Sequence, residues 1–439
     1  MSQIERPNIL LILVDDLGYG DISAHGGPHA YTPHIDRLCS EGLRFTSFYA
    51  NSTVCSPSRA ALMTGRYPDL VGVPGVIRTD PGESWGYFDP EATTLPTMMA
   101  RAGYSTCHIG KWHLGLEPEN HPCVRGFDTF HGFLGDMMDD YYTHRRQGHN
   151  YMRYNYEQID PKGHATDLFT QWTVSYLRER ADKTDPFFCY LAYNAPHTPV
   201  QPPPEWVERI KVRDTDIDDK RALYLGLVEH MDDGIGQVLQ TLDETGLAGN
   251  TIVVFSSDNG GWLPAGASNE PLRGGKRDMY EGGIRVPCCI RWPGVITPGS
   301  ATDRLAMLMD LFPTCCEVAG CTVEHEIEGR SILPLLRGQI LDVDERWCYW
   351  VRRDGGASRE MRYLGNDYHA VRHGDLKLLH NHAFAPLELF DVTDDPLEQH
   401  GLDTKTHVAM PEMCKFMQSQ IQRAGRVPWQ KPVSYSHES

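Results

Sequence analysis

No apolar run in this chain approaches the ~20 residues that a membrane-spanning helix requires, so no stretch reads as a bilayer span. The start, MSQIERPNILLILVDD, has no basic opening segment, and its apolar run closes on two aspartates instead of a small-residue cleavage site. It therefore does not read as a signal peptide. The expected location is cytoplasmic, or periplasmic or secreted if a leader has been removed. The 12 cysteines include no C-x-x-C pair, which argues against structural zinc. Scattered through 439 residues, most of them read as small buried hydrophobes. Positive charge is also short: 41 Lys and Arg against 59 Asp and Glu leave a formal net charge of −18. That balance excludes nucleic acid and acidic membranes as expected partners. An anionic substrate would need a compact patch of cations to overcome the same field. Internal repeats and low-complexity tracts are missing as well.

What is present is alternation. Four apolar runs read as strands buried on both faces, and each ends in polar residues. NILLILVDD ends at Asp15 and Asp16, GYSTCHIGKWHLG at Lys111 and His113, PFFCYLAYNAPHTP at His197, and TIVVFSSDNGG at Asp258 and Asn259. Between them, YTPHIDRLCSEGLRF, ATTLPTMMARAGY, ATDLFTQWTVSYLRERAD and RALYLGLVEHMDDGIGQVLQTLDETG carry apolar residues at helical spacing. The expected fold is α/β: a large, mainly parallel sheet sandwiched by helices, with a small C-terminal antiparallel α+β subdomain. The boundaries expected are 1–340 for the larger domain and 341–439 for the subdomain, where YHAVRHGDLKLLH and LELFDVTDDPLEQHGL precede a short helical stretch. Ligands of parallel sheets bind at the carboxyl ends of strands, and all four polar clusters sit there.

Taken alone, each of these residues has a plain reading. Asp and Asn at strand ends commonly make turns. Two such pairs, Asp15-Asp16 and Asp258-Asn259, instead suggest hard oxygen donors for Ca²⁺ or Mg²⁺. Arg59, Lys111, His113, His197 and Lys276 are far apart in sequence, yet gathered round a metal they would form the cationic patch that the net charge demands. Cys55, in NSTVCSPSRAALMTGRYP, is an ordinary thiol, a thiolate nucleophile or the precursor of something else. Three residues separate it from Arg59, where a cysteine-phosphatase loop has five, and no papain-type signature surrounds it. RGGK before Arg277 lacks the spacing of a P-loop.

Cys55-Ser56-Pro57-Ser58-Arg59 followed by AALMTGRYP resembles the C-x-P-x-R signature of the type I, formylglycine-dependent sulfatases, and GKWHLG resembles their second signature. ILVDDLGYGD, APHTP, FSSDNGG, LRGGKRDMYEGGIRVP, GRSILPLLRG and LELFDVTDDPLE extend the likeness over nearly the whole chain. The resemblance, arylsulfatase-like and within the alkaline-phosphatase-like superfamily, implies hydrolysis of sulfate monoesters with release of inorganic sulfate. It implies that a formylglycine-generating enzyme converts Cys55 to formylglycine. The hydrated aldehyde would attack sulfur and expel sulfate by returning to the carbonyl through a formylglycine-sulfate intermediate. By motif, Asp15, Asp16, Asp258 and Asn259 would bind a divalent cation with residue 55, usually Ca²⁺ with Mg²⁺ possible. Arg59 would help activate the nucleophile, and Lys111, Lys276 and His197 would hold the sulfate oxygens. His197, with Lys276, would protonate the leaving alcohol, and His113 would take the proton that lets sulfate depart.

The leaving group is less legible. Residues 117–160 are dense in His, Tyr, Asp and Arg, and Tyr141, Tyr142 and His144 are candidates for holding a sugar; an ordinary surface loop is the competing reading. The segments after His197 and around Trp262 are further candidates for the entrance. The expected substrate is a sulfated saccharide or small molecule, with an aryl sulfate as an alternative. A phosphonate monoester or phosphodiester hydrolase on the same scaffold, and a non-catalytic anion binder, are the competing functions.

Overall fold

Strand β1 (Asn8–Val14) shows why the sheet lies at the centre of the molecule. Its side chains alternate between two buried layers: Ile9, Leu11 and Leu13 face one, and Leu10, Ile12 and Val14 the other. The computed structural model describes residues 6–339, 346–354, 366–382 and 384–431. The boundary expected between 340 and 341 and the end of the tail lie outside those residues. The remaining strands of the large sheet are β2 (Leu43–Phe45), β3 (Ser105–Lys111), β4 (Thr129–Phe133), β5 (Met152–Tyr154), β6 (Glu157–Gln158), β7 (Phe187–Ala192), β8 (Thr251–Ser257), β9 (Cys288–Arg291) and β10 (Ser300–Thr302). They run in the order β10-β2-β9-β8-β1-β7-β3-β4-β5-β6. The five strands from β8 to β4 are mutually parallel, and antiparallel pairings begin at β9 and β5. Leu11 of β1 stands opposite Tyr190 of β7 and Val254 of β8, so the longest apolar runs occupy the middle.

Helices cover both faces. α1 (Pro33–Glu41), α4 (Ala165–Arg180) and α5 (Asp219–Glu244) pack on the Leu10 side. α2 (Cys55–Thr64), α3 (Leu95–Arg101) and α6 (Leu311–Ala319) pack on the Leu11 side. Every residue of α2 is buried, Arg59 included, and its two serines and two alanines let the helix lie close to its neighbours. Among the described residues no helix is long and apolar enough to cross a membrane.

The C-terminal part is a four-stranded antiparallel sheet, β11 (Trp347–Asp354), β12 (Asn366–His373), β13 (Leu376–His380) and β14 (Glu388–Asp391), backed by α7 (Met410–Ala424). A mainly parallel, helix-sandwiched sheet with a small antiparallel partner is the architecture expected from the sequence. The two parts share one apolar core, in which Trp350 and Val371 pack with Tyr49, Ala61 and Met309. The indole Nε1 of Trp350 donates to the carbonyl of Ala50 at 2.7 Å. Arg346 grips the buried Asp310 carboxylate with two hydrogen bonds of 2.5 and 2.7 Å.

Candidate active site

β8, β1, β7 and β3 are neighbours, so the polar residues that follow them converge along one edge of the sheet. The chain leaves β1 through Asp15, whose N–H donates to Ala195 O at 3.1 Å, and Asp16, which takes a positive φ of 68°. Tyr224 of α5 donates its hydroxyl to the Asp16 carbonyl at 2.9 Å, holding that strained turn. Asp258 N–H donates to Val14 O at 3.1 Å, which fixes the end of β8 beside β1. Gly110, at φ 105°, lets β3 lie against β7: a Cβ there would meet Ala192 O at 1.9 Å. The next residue, Lys111, is thereby aimed into the site.

Cys55 opens α2 and points at the carboxylates. Its Sγ lies 3.2 Å from Asp15 Oδ1, 3.9 Å from Asp16 Oδ1 and 3.7 Å from Lys276 Nζ. Three buried carboxylates face three fixed cations. Lys111 Nζ donates to Asp15 Oδ2 at 2.5 Å, Lys276 Nζ to Asp16 Oδ2 at 2.6 Å, and Arg59 to Asp258 Oδ2 at 2.7 and 3.0 Å. Asn259 Nδ2 donates to Asp16 Oδ1 at 2.8 Å. The structure thus brings together Asp15, Asp16, Cys55, Arg59, Lys111, His113, His197, Asp258, Asn259 and Lys276.

The charges perturb one another. Burial and the adjacent Asp15 carboxylate raise the Cys55 thiol well above the ordinary range, so the unmodified side chain is a thiol here and not a thiolate. Burial pushes Asp15 upward, but Lys111, His197 and Arg59 outweigh it and hold the acid well below its usual range. Asp258 rises to about 7 through burial and repulsion from Asp15. Burial, then Lys111 and Arg59, depress His113 well below 6.5. His197 is depressed too, by burial and Lys276.

The two histidines have defined tautomers. His113 Nε2 is 2.9 Å from the Ile77 carbonyl and must donate to it, which leaves Nδ1 as a lone-pair acceptor; that atom is buried and has no partner. His197 Nδ1 donates to Thr198 O at 2.7 Å, leaving Nε2 free to face Asp16 Oδ2 at 3.5 Å. A cleft of about 160 Å³ opens over Cys55, with His113, His197 and Lys276 in its wall.

The donor set is compatible with a bound metal ion. Donor atoms of Asp15, Asp16, Cys55 and His197 lie within 4.8 Å of one another. Asn259 Oδ1 is buried without a hydrogen-bond partner, an orphaned oxygen where a cation would find a ligand. A cation would also relieve the mutual repulsion of the three carboxylates.

The aromatic loop is arranged differently. Tyr141 is buried, stacked 4.9 Å from His164, and its hydroxyl donates to the His197 carbonyl at 2.8 Å. It touches the site through the backbone of His197. Tyr142 is exposed against His164, and His144 is buried with Nε2 on the Gly163 carbonyl. Neither lines the cleft; Asp136 and Met137 do so from this loop, together with Thr198 and Trp262 from the two expected entrance segments. Sequence reasoning missed Tyr190, whose hydroxyl lies 3.4 Å from Arg59, and the Ile77 carbonyl that orients His113. It also missed Arg352 of β11, which no motif marked.

Comparison with known proteins adds two family models. The model described as Sulfatase matches residues 7–321, and the one described as N-sulphoglucosamine sulphohydrolase, C-terminal, matches residues 274–426. The chain is 35% identical over 361 residues to human N-acetylgalactosamine-6-sulfatase, covering 77% of this chain and 67% of that protein. It superposes on the crystal structure of Ps i-CgsB in complex with k-i-k-neocarrahexaose with a TM-score of 0.86 and 31% identity, covering 95% of this chain and 93% of the other. A phosphonate monoester hydrolase of Agrobacterium radiobacter shares the fold with a TM-score of 0.67 and 20% identity, covering 96% of each chain.

Proposed function

This chain belongs to the sulfatase family, whose members are sulfuric ester hydrolases, and from that premise we propose that it cleaves a sulfate monoester on a carbohydrate after Cys55 has been converted to formylglycine. One observation carries the reading: Cys55 starts a buried helix 3.2 Å from Asp15, inside a ring of three carboxylates and three cations. The names of the human relative and of the saccharide bound to Ps i-CgsB support a sugar as the alcohol half of the ester. Maturation would require a formylglycine-generating enzyme as partner. The modified side chain, once formed, supplies a hydrated aldehyde whose hydroxyl is the nucleophile.

Asp15, Asp16, Asp258, Asn259 and residue 55 would hold Ca²⁺, with Mg²⁺ as the alternative. The ion supplies Lewis-acid polarisation of the nucleophile and of the bound sulfate. Lys111 and Lys276 present ammonium groups to the sulfate oxygens, and the N-terminus of α2 adds its positive end. Arg59 stays on Asp258 and steadies the carboxylate cluster. His197 Nε2 lies on the cleft side and delivers a proton to the departing alcohol, while an arriving anion favours its protonated form. His113 Nδ1 is an unpartnered lone pair in the same cleft and accepts the proton whose loss frees sulfate.

Two measurements test these roles. His113→Ala is expected to lower kcat by about 10²–10⁴-fold. Because His113 is held well below 6.5, its neutral form persists as pH falls from 7 to 6, and the acidic limb of wild-type kcat should lie below that interval. Unchanged turnover in the variant would remove His113 from the reaction. Chelation is expected to abolish turnover, and added Ca²⁺ to restore it. With Ca²⁺ at about 100 times its Kd, the folded state should gain about 2.7 kcal/mol. Turnover insensitive to chelator would exclude the metal assignment. Comparing an aryl sulfate with an aryl phosphonate on the same preparation separates this function from the phosphonate hydrolase reading.

A further inference from the structure

The cleft above Cys55 continues outward. Trp262, Lys276, Arg277, Arg352 and the Asp354 carboxylate line both the pocket over Cys55 and a groove that runs on from it to Tyr368 and Asn381. Four arginines border the inner pocket, and two of them are already neutralised. Arg78 faces Asp136 at 3.5 Å, and Arg353 holds Asp367 with contacts of 2.7 and 3.1 Å. Arg277 and Arg352 have no carboxylate at ion-pair distance among the described residues.

Arg352 is the unusual one. It is only 5% exposed, on the edge strand β11, and its guanidinium lies 3.9 Å from the centre of the Tyr368 ring. Stacking of this kind leaves the N–H donors free in the plane of the guanidinium, in the fork that matches a sulfate or carboxylate. Its Nε is buried and has no hydrogen-bond partner. A buried guanidinium without a counter-ion is costly unless something completes it. Burial draws Arg352 below its ordinary range; Asp354 and Tyr368 oppose this and the like charge of Arg277 adds to it, so the two cations sense each other. Arg277 is held by its own backbone, whose N–H donates to Thr53 O at 3.0 Å, two residues before Cys55, and its guanidinium rests 5.2 Å from the Trp262 ring. The nearby Asp278 is engaged by the Gly275 N–H at 3.0 Å.

We propose that Arg277 and Arg352 form a second anion subsite, so that the preferred substrate carries a further sulfate or carboxylate group beside the sulfate ester cleaved at residue 55. This rests on the sulfatase reading of the inner pocket and adds the acceptor chemistry to it. Both arginines border the cleft over Cys55, but neither has a part in the catalytic steps. Lys276 links the two sites, since its ammonium faces Cys55 while the next residue faces the groove.

The test uses three saccharides with the same cleavable sulfate: one with no other charge, one with a second sulfate and one with a uronate carboxylate instead. Turnover is measured with the mature wild-type protein, and equilibrium binding with Cys55→Ala, alone and combined with Arg352→Gln or Arg277→Gln. The doubly charged saccharides are expected to bind about tenfold more tightly than the singly charged one. Each arginine variant should shrink that ratio to about threefold or less. Preference for one of the two doubly charged saccharides identifies the second group as sulfate or carboxylate. If all three bind equally, or if the ratio survives both substitutions, the subsite is overturned. Arg277 is exposed, so its variant gives an answer even where loss of the buried Arg352 disturbs the fold. Absence of turnover on every saccharide would count against the inner-pocket reading, whereas the binding ratio still decides the subsite.

Discussion

Cys55→Ala is expected to reduce sulfate release by about 10⁴-fold or more while leaving the fold intact. The loss should be large because the side chain at 55 supplies the reacting atom. The fold should tolerate the change because the thiol is neutral and its partners have other bonds. Asp15 keeps Lys111 and Asp16 keeps Lys276. Cys55→Ser sharpens the experiment. A serine hydroxyl that took the sulfate could not return to a carbonyl, so at most one equivalent of alcohol per chain should appear. The companion measurement is the mass of the peptide carrying residue 55, from protein made in its native host. An aldehyde mass with an inactive alanine variant supports the assignment. An intact thiol in protein that still turns over would overturn it. An intact thiol with no turnover moves the anion-binding reading to the front.

Much of this site was legible because parallel strands deliver their ends to one edge. NILLILV and FFCYLA carry almost no polar side chains and TIVVFSS has hydroxyls only at its two ends, so their burial on two faces could be read directly, and so could the polar residues at which each run stops. That those ends are neighbours follows from the order β8-β1-β7-β3, which no single segment encodes. The edge strands were illegible for the opposite reason. Ser300–Thr302 and Glu157–Gln158 have three and two residues, too few to show a period, and they exist because the sheet offers them a partner. In the aromatic loop composition alone does not separate sugar contacts from packing. Tyr141 and His144 look like sugar contacts, yet burial and backbone carbonyls claim them. Arg352 could not be found at all from WCYWVRRD, because its meaning depends on which side chains lack partners once the C-terminal sheet has docked.

Docking of that sheet rests on a buried charge cluster whose disruption should have the largest effect on stability. Lys377 of β13 donates to Glu281 at 2.9 Å and to Glu398 at 2.8 Å, and all three side chains are fully buried. Glu281 lies at the end of the glycine-rich loop that carries Lys276, so the cluster ties the C-terminal sheet to the catalytic site. Lys377→Met is expected to destabilise the protein by about 3–5 kcal/mol, since it removes the cation that the two buried carboxylates share. The pH dependence gives the claim a second handle. In the wild type, burial opposes ionisation of Glu281, but Lys377, Arg285 and Arg372 win and hold it at about 2. Its contribution is therefore present above the ordinary carboxylate range near pH 4.5 and lost as pH falls through about 2. Glu398 already sits above its usual range, because burial outweighs Lys377. Without Lys377 both acids shift upward, and a raised acid contributes stability below its unfolded pKa that is lost as pH rises. The deficit of the variant should then be greater at pH 8 than at pH 5, read as the change in denaturant midpoint at each pH. Glu398→Gln added to Lys377→Met should recover part of the loss, and mainly at pH 8. Equal deficits at the two pH values would mean that the lysine acts through packing of its alkyl chain and not through its charge.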